Sequence, residues 1–209
     1  MDGVVRLSSG KFSPSRSGAA IIICHPWTSN KEQLPANYAR VLSASVFTCL
    51  IYDAAYAPFA AQTDLRIKAV ATSAAVCVGT MARRAFDNDV AGHSKIAEVH
   101  MLPAKLSDAD TLPASFKDLA QYYRGRVPHE RAPNTCLPRS WDLMASFDAF
   151  RFNEWISPRP LMMVTGSRAA TKWYSKKLVV VEGLTHADLY DHVGEAGGKL
   201  VEFCGKYLK

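Results

Sequence analysis

Short, continuous apolar runs recur along the chain and predict strands of a parallel sheet. Residues 18–24, 46–53 and 160–165 are apolar without alternation, which is typical of strands buried on both faces. Residues 67–72 and 177–182 form two shorter runs. We therefore predict five strands.

Between these runs the apolar positions follow helical spacing. Leu34, Tyr38 and Leu42, for example, fall on one face of a single helix. Helices are predicted over residues 33–45, 57–63, 115–123, 140–155 and 197–208. Strands that alternate with helices indicate the α/β class, with a mainly parallel sheet flanked by helices.

The length of 209 residues favours one domain with a well-buried core. Within residues 1–209 we expect an N-terminal half of the sheet over residues 18–78 and a C-terminal half over residues 151–209. Residues 79–150 are polar and rich in proline and arginine, and they hold helical pieces. They predict a cap-like segment inserted into the sheet domain.

Composition and charge exclude several classes of protein. The net charge of +6 comes from scattered Lys and Arg residues without a basic run, so we expect no nucleic-acid partner. No run approaches the ~18 apolar residues needed to cross a bilayer, and no signal peptide or peroxisomal tripeptide is visible, so we expect a cytoplasmic protein without a membrane partner. The five cysteines lack metal spacing and indicate reduced thiols.

Four residues that carry or permit chemistry stand where predicted strands end. They are His25, Asp53, Gly166 and His186. Ligands of open parallel sheets bind beyond the carboxyl ends of the strands, so these positions predict the site.

Several motifs resemble those of a known family, in order along nearly the whole chain from residue 18. They are the sequences of residues 24–33, 52–56, 62–70, 157–160 and 183–191. Together they resemble the α/β-hydrolases of fungal secondary metabolism, a branch akin to dienelactone hydrolases. That branch includes polyketide transferases and thiohydrolases of mycotoxin gene clusters.

The resemblance implies an α/β-hydrolase fold that acts on an acyl ester or thioester. His186 matches the histidine that takes a proton from the nucleophile and returns it to the leaving group. The loop His25, Pro26 and Trp27 matches the region whose backbone N–H groups stabilise the oxyanion. Alternatively, His186 is an idle loop histidine and Trp27 simply packs its loop.

Two of the three triad positions are empty. The family's nucleophile stands in a Gly-x-Ser/Cys-x-Gly turn, and the sequence contains no such pentapeptide. Relatives place a helix, a strand and this turn between the counterparts of Tyr56 and Ala57, which are adjacent here. Residues 166–171, where the acid is expected, contain no carboxylate. We therefore expect an incomplete sheet, a second shortening near Ser175, and no assignable nucleophile or acid.

Substitutes for the missing groups are weak candidates. Ser73, Cys77 and Ser167 each follow a predicted strand but lack the flanking glycines that a strained turn needs. Asp53 is an alternative acid, although a carboxylate at a strand end more often accepts backbone N–H groups. Asp188 and Asp191, just after the histidine, are expected to be surface or helix-capping residues.

The cap-like segment would supply the binding surface for a small acyl or polyketide substrate or a carrier thioester. Its aromatic residues line an apolar chain or fill a core: Phe86, Trp141, Phe147, Phe150 and Trp155. Its basic stretch contacts carrier phosphates or is solvated: Arg124, Arg126, His129 and Arg131. Neither a cofactor nor a metal ion is expected.

Three functional interpretations remain open from the sequence. The first is a working or formerly working hydrolase or acyltransferase with His186 as its base. The second is a non-catalytic protein that binds a ligand or partner. The third is the product of a truncated gene, whose open sheet would expose apolar faces and strand edges.

Overall fold

The computed structural model describes residues 5–7, 19–52, 57–80, 99–100, 102–169 and 178–208. The strands are β1 (Val5–Leu7), β2 (Ala20–Cys24), β3 (Thr48–Tyr52), β4 (Val70–Ser73), β5 (Val99–His100), β6 (Thr135–Cys136), β7 (Leu161–Gly166) and β8 (Leu178–Val181). The α-helices are α1 (Leu34–Ala44), α2 (Ala57–Thr63), α3 (Ala114–Ala120), α4 (Pro138–Ala145), α5 (Asp188–Asp191) and α6 (Val193–Tyr207). A π-helical turn, Gln121–Arg126, continues α3, and 3₁₀ helices span Leu106–Thr111 and Asn153–Ile156.

The principal strands form two small, mainly parallel sheets flanked by helices, which confirms the predicted α/β class. In the first sheet β3 lies between β1 and β2, antiparallel to β1 and parallel to β2. In the second sheet β7 lies between β4 and β8, and all three strands are parallel. Parallel neighbours require long crossovers, and α1 supplies the one between β2 and β3.

The sheet is incomplete, as the sequence predicted. Among the described residues, no strand pairs with the outer edge of β2 or of β4. The prediction that residues 18–24 are buried on both faces is wrong for Ile22, whose exposed fraction is 61%. Ile22 has a flanking strand on one side only, opposite Leu50 of β3. Central β7, in contrast, is buried from Met162 to Gly166.

Two helices differ from their predicted bounds. The terminal helix begins at Val193 rather than at residue 197, and its glycines lie inside it. A Cβ on Gly197 would lie 2.9 Å from Val41 Cγ1, so this glycine lets α6 approach α1 closely. The predicted start at residue 197 was therefore wrong, because Gly197 serves a packing contact inside the helix.

The predicted helix over residues 140–155 is two shorter ones. Helix α4 ends at Ala145, and a 3₁₀ helix begins at Asn153. Between them, Asp148 Oδ1 accepts the backbone N–H of Phe150 at 3.0 Å, and Cys77 Sγ accepts that of Ala149 at 3.4 Å. Side-chain acceptors thus take the N–H groups that a continuous helix would use.

In the described part of residues 79–150, α3 and its π-helical turn pack against both sheets. Buried residues of this segment, Ala120, Tyr122 and Tyr123, share one apolar core with residues of β3, β7 and α6. In the described part of the chain, no helix has the length and apolar character needed to cross a membrane.

Arg159 joins α2 to the segment that precedes β7. Its Nη1 donates to the carbonyls of Asp64 and Ile67, both at 2.9 Å. Its Nη2 donates to the carbonyl of Ala61 at 2.5 Å. The arginine of the 157–160 motif therefore satisfies carbonyls at the end of α2 and in the turn after it.

We expect Arg159→Lys to destabilise the fold by about 2 kcal/mol, because one ammonium group cannot reach these separate carbonyls in the same geometry. Urea unfolding followed by circular dichroism measures this loss. Arg66→Lys is the matched control, since the Arg66 side chain is exposed and pairs only with Asp64 among its described contacts. Equal effects of the two substitutions would contradict the role of Arg159.

Candidate active site

The loop after β8 delivers His186 to the carboxyl end of the second sheet. Gly183 adopts a φ of +78°, a left-handed conformation that glycine accommodates readily. The chain then runs through Leu184 and Thr185 to His186, which has an exposed fraction of 5%. This tight turn brings the histidine back over the strands.

The end of β7 holds this loop in place. A Cβ on Gly166 would lie 2.1 Å from the carbonyl oxygen of Leu184, so the loop rests directly on the glycine. The N–H of Arg168 donates to the same carbonyl at 3.0 Å. Ser167 Oγ accepts the N–H of Gly183 at 2.8 Å and donates to Glu182 at 2.9 Å. Ser167 therefore supports the turn.

The imidazole of His186 contacts a tyrosine. His186 Nε2 lies 2.9 Å from the Oη of Tyr190, and the two rings meet at 70° with centroids 5.3 Å apart. Burial lowers the pKa of His186 to about 4, so the ring is neutral near pH 7. Burial also makes its protonation during catalysis unfavourable.

Buried tyrosines surround this pair. The rings of Tyr122 and Tyr123 lie edge-on to Tyr190, with centroids at 5.1 and 6.4 Å. Burial raises the pKa of Tyr123 to about 12 and that of Tyr190 well above its ordinary value. These hydroxyls therefore stay protonated and act as hydrogen-bonding groups, not as bases.

The candidate substitute nucleophiles have other described partners. Tyr38 Oη donates to the carbonyl of Leu189 at 2.8 Å, so Ser73 Oγ, 2.7 Å away, donates its proton to Tyr38. Cys77 is buried, and its sulfur accepts the N–H groups of Ala149 and Thr80. The described hydrogen bonds of these groups thus do not join any of them to His186. Asp53 lies outside the described residues.

The oxyanion-loop region is anchored to the cap-like segment. Trp27 meets Trp141 edge-on at 5.2 Å, and Thr28 has a φ of +67°. The side chain of buried Asn134 donates to Thr28 O and Oγ1, both at 3.1 Å, and accepts from Arg124 at 2.7 Å. These contacts hold a strained loop conformation.

A buried glutamine completes this anchor. Gln33 Oε1 accepts from Ser29 Oγ at 3.0 Å and from the N–H of Asn30 at 3.3 Å. Its Nε2 donates to the carbonyl of Val127 at 2.9 Å. His25 and Pro26 lie at the start of the same loop, where His25 Nδ1 is 2.8 Å from the Pro26 carbonyl oxygen. The loop and the cap-like segment therefore form one bonded unit.

The two aspartates after His186 have defined partners. Asp188 Oδ2 accepts the N–H of Thr185 at 3.0 Å, and Thr185 Oγ1 accepts the N–H of Asp188 at 3.2 Å, in the manner of a capping box. Arg126 pairs with Asp188 at 3.0 Å and with Asp191 at 3.3 Å. Burial opposes ionisation of Asp188, but these hydrogen bonds outweigh it and lower its pKa to about 2.

Asp188, Asp191 and His192 also place ligand atoms within 4.8 Å of one another. The guanidinium of Arg126 already balances both carboxylates, so this group resembles an ion-pair network rather than a metal site.

The other arginines of the basic stretch also have partners within the chain. Arg124 donates to Asn134 and Arg131 pairs with Glu32, so both side chains already have partners within the chain.

The aromatic residues predicted to line a binding surface form separate pairs in different places. Trp141 packs on Trp27, Phe147 on Phe59, and Trp155, with an exposed fraction of 55%, stacks on Phe152. Phe86 lies outside the described residues.

The sequence did not predict the residues that bond the two loops of the candidate site. They are Gln33, Asp118, Asn134 and Tyr190. Each of them stands among other polar residues in the sequence, so no local signal distinguishes it.

Comparison with known proteins identifies the fold. No family model matches the chain. The chain is 26% identical to the uncharacterized protein YcjY of Escherichia coli over 277 residues, which cover 92% of this chain and 90% of that protein. The aligned region is longer than the 209 residues of this chain, so the relative carries residues without a counterpart here.

Solved structures give the same picture. The hypothetical protein PA2218 of Pseudomonas aeruginosa has a TM-score of 0.80 at 18% identity, covering 98% of this chain and 89% of that one. DcsB, solved with its substrate analogue, has a TM-score of 0.68 at 13% identity, covering 91% of each chain. The α/β hydrolase GrgF of Penicillium sp. sh18 has a TM-score of 0.64 at 15% identity, covering 90% of each. This chain has the α/β-hydrolase fold.

We expect Gly166→Ala to displace the His186 loop, because its Cβ would overlap the backbone of Leu184. Unfolding free energy should fall by about 2 kcal/mol in urea denaturation. Gly198→Ala is the control, since a Cβ there meets no atom within 4 Å and should leave stability equal or slightly higher. A Gly166→Ala protein as stable as the wild type would disprove this packing role.

The lowered pKa of His186 predicts a pH-dependent stability. Below pH 6.5, the ordinary pKa of histidine, His186 becomes protonated in the unfolded chain. In the folded chain it stays neutral down to about pH 4. Stability is therefore fully present above about pH 6.5 and falls as the pH drops, by about 2 kcal/mol at about pH 5. Urea unfolding at both pH values should show this loss in the wild type. His186→Gln should show less of it, and equal losses in both proteins would refute the assignment.

Proposed function

We propose that this chain, which has the α/β-hydrolase fold, is a hydrolase-type protein of fungal polyketide metabolism with impaired turnover. By lineage its substrate is a small acyl ester or thioester. The proposal places His186 as the surviving base and the loop of His25, Pro26 and Trp27 as the oxyanion region. Turnover is impaired because the sequence encodes no nucleophile turn.

The observation that carries this proposal is the partner of His186. In acyl transfer by this fold the histidine accepts the proton of a serine or cysteine through one ring nitrogen. Here Nε2 lies 2.9 Å from Tyr190 Oη, a buried hydroxyl with a raised pKa. A phenol so difficult to ionise is a poor nucleophile, so this contact holds the ring in place.

Two further observations support the loss of an internal unit. β2 and β4 each lie at the edge of their sheet, and no described strand pairs with that edge. The E. coli relative carries residues that this chain lacks. One strand and its crossover helix, inserted between Tyr56 and Ala57, would account for both.

The substrate class rests on the resemblance and on the neighbouring folds. GrgF is an α/β hydrolase of a Penicillium species, and DcsB was solved with its substrate analogue. A small-molecule substrate is consistent with both. The second candidate is a binding protein without catalysis, which is favoured by the intact bonding between the oxyanion loop and the cap-like segment.

We expect the purified protein to hydrolyse p-nitrophenyl esters and acyl thioesters no faster than a His186→Ala variant. The physical reason is that a base without a nucleophile accelerates acyl transfer little. Initial rates measured over a range of acyl lengths test this. A rate at least tenfold above that of His186→Ala would overturn the proposal and indicate an unrecognised nucleophile.

An insertion variant provides the complementary test. Inserting between Tyr56 and Ala57 a helix, strand and turn that carry a Gly-x-Ser-x-Gly sequence should restore a rate that depends on His186. The same insertion combined with His186→Ala is the control. Thermal protection of the unmodified protein by an acyl thioester, without turnover, would support the binding alternative.

A further inference from the structure

The residues on both sides of His186 bond to one carboxylate of the cap-like segment. Asp118 Oδ1 accepts from Thr185 Oγ1 at 3.0 Å, and Asp118 Oδ2 accepts the N–H of Ala187 at 2.9 Å. Both oxygens of a single α3 side chain therefore straddle the histidine. Hydrogen bonds to an ionised carboxylate are among the stronger ones in proteins.

Two more residues of the same helical segment contact the loop. Tyr122 lies edge-on to Tyr190 at 5.1 Å, and Tyr190 in turn bonds the imidazole. Arg126 pairs with Asp188 and Asp191. Asp118, Tyr122 and Arg126 recur every four residues, so they lie along one side of α3 and its π-helical turn.

We propose that Asp118 is a positioning residue that fixes His186 through Thr185 and Ala187, with Tyr122 and Arg126 aligning the same loop. This inference rests on the proposed function, because it concerns the histidine assigned there. It adds a cap residue to a site otherwise built at strand ends. The carboxylate holds the backbone around the ring, a task distinct from that of a triad acid, which bonds the ring itself.

The charged and titratable groups in and around the segment that carries the histidine come from several elements. They are Asp118, Tyr122, Tyr123 and Arg126 of the cap-like segment, Asp188, Tyr190 and Asp191 of the following helix, and Tyr38 of α1. Removing the negative charge of Asp118 would by itself lower the pKa of His186. Releasing the loop into water would instead raise it. The two effects have opposite signs, so the direction of the shift separates them.

The test is a titration of the His186 ring by NMR in wild-type protein and in Asp118→Asn. Asparagine keeps the shape but replaces one acceptor oxygen with an amino group. We expect the pKa of His186 to rise by about one pH unit or more, toward the ordinary value near 6.5. The amide of Ala187 should exchange with solvent at least tenfold faster, while amides of α1 stay protected. His186→Gln assigns the ring signal.

Asp110→Asn is the matched control, because Asp110 is exposed and pairs with Lys117 at 2.6 Å. It should leave the His186 titration unchanged. If Asp118→Asn fails to fold, Thr185→Val removes the bond to Asp118 Oδ1 together with the Thr185 Oγ1 acceptor of the Asp188 N–H, and it should raise the same pKa by a smaller amount. An unchanged or lowered pKa in these variants, with Ala187 exchange unaltered, would overturn the proposal. Turnover is not measured, so this outcome is independent of the missing nucleophile.

Discussion

The close approach of the Leu184 backbone to Gly166 is the constraint on which the candidate site depends. Because position 166 has no side chain, the loop after β8 can lie directly on the end of β7 and direct His186 inward. A side chain there would lift the loop away from the strand. The bonds of Ser167, Arg168 and Asp118 to this loop all require that placement.

Burial then decides what the histidine can do. The environment of His186 is aromatic and largely closed to water, which favours the neutral ring and disfavours the charged one. A nucleophile beside the ring would need the imidazolium to form during attack, and preorganised dipoles usually stabilise it. Here the described partner of Nε2 is a phenol, and the nearby carboxylate of Asp118 binds the loop backbone. The arrangement favours an imidazole that keeps one position and one protonation state over an imidazole that gains and loses a proton in each turnover.

The cap-like segment bonds to both loops of the candidate site. It bonds the oxyanion loop through Asn134 and the Val127 carbonyl, and it bonds the histidine loop through Asp118 and Arg126. These buried and half-buried polar contacts compensate for a sheet whose halves lack a shared strand among the described residues. These contacts hold the two loops in a fixed position relative to each other.

The sequence by itself determined the class of fold, most strand positions, and the place of His186 after the last strand. Apolar runs and helical spacing report burial along one segment, and they need no knowledge of distant residues. Only the tertiary structure decided that Ile22 is exposed, that Gly197 is a helix contact, and that Tyr190 and Asp118 hold the histidine. Each of these depends on which distant surface a residue meets, and a pattern local to the chain contains no such information.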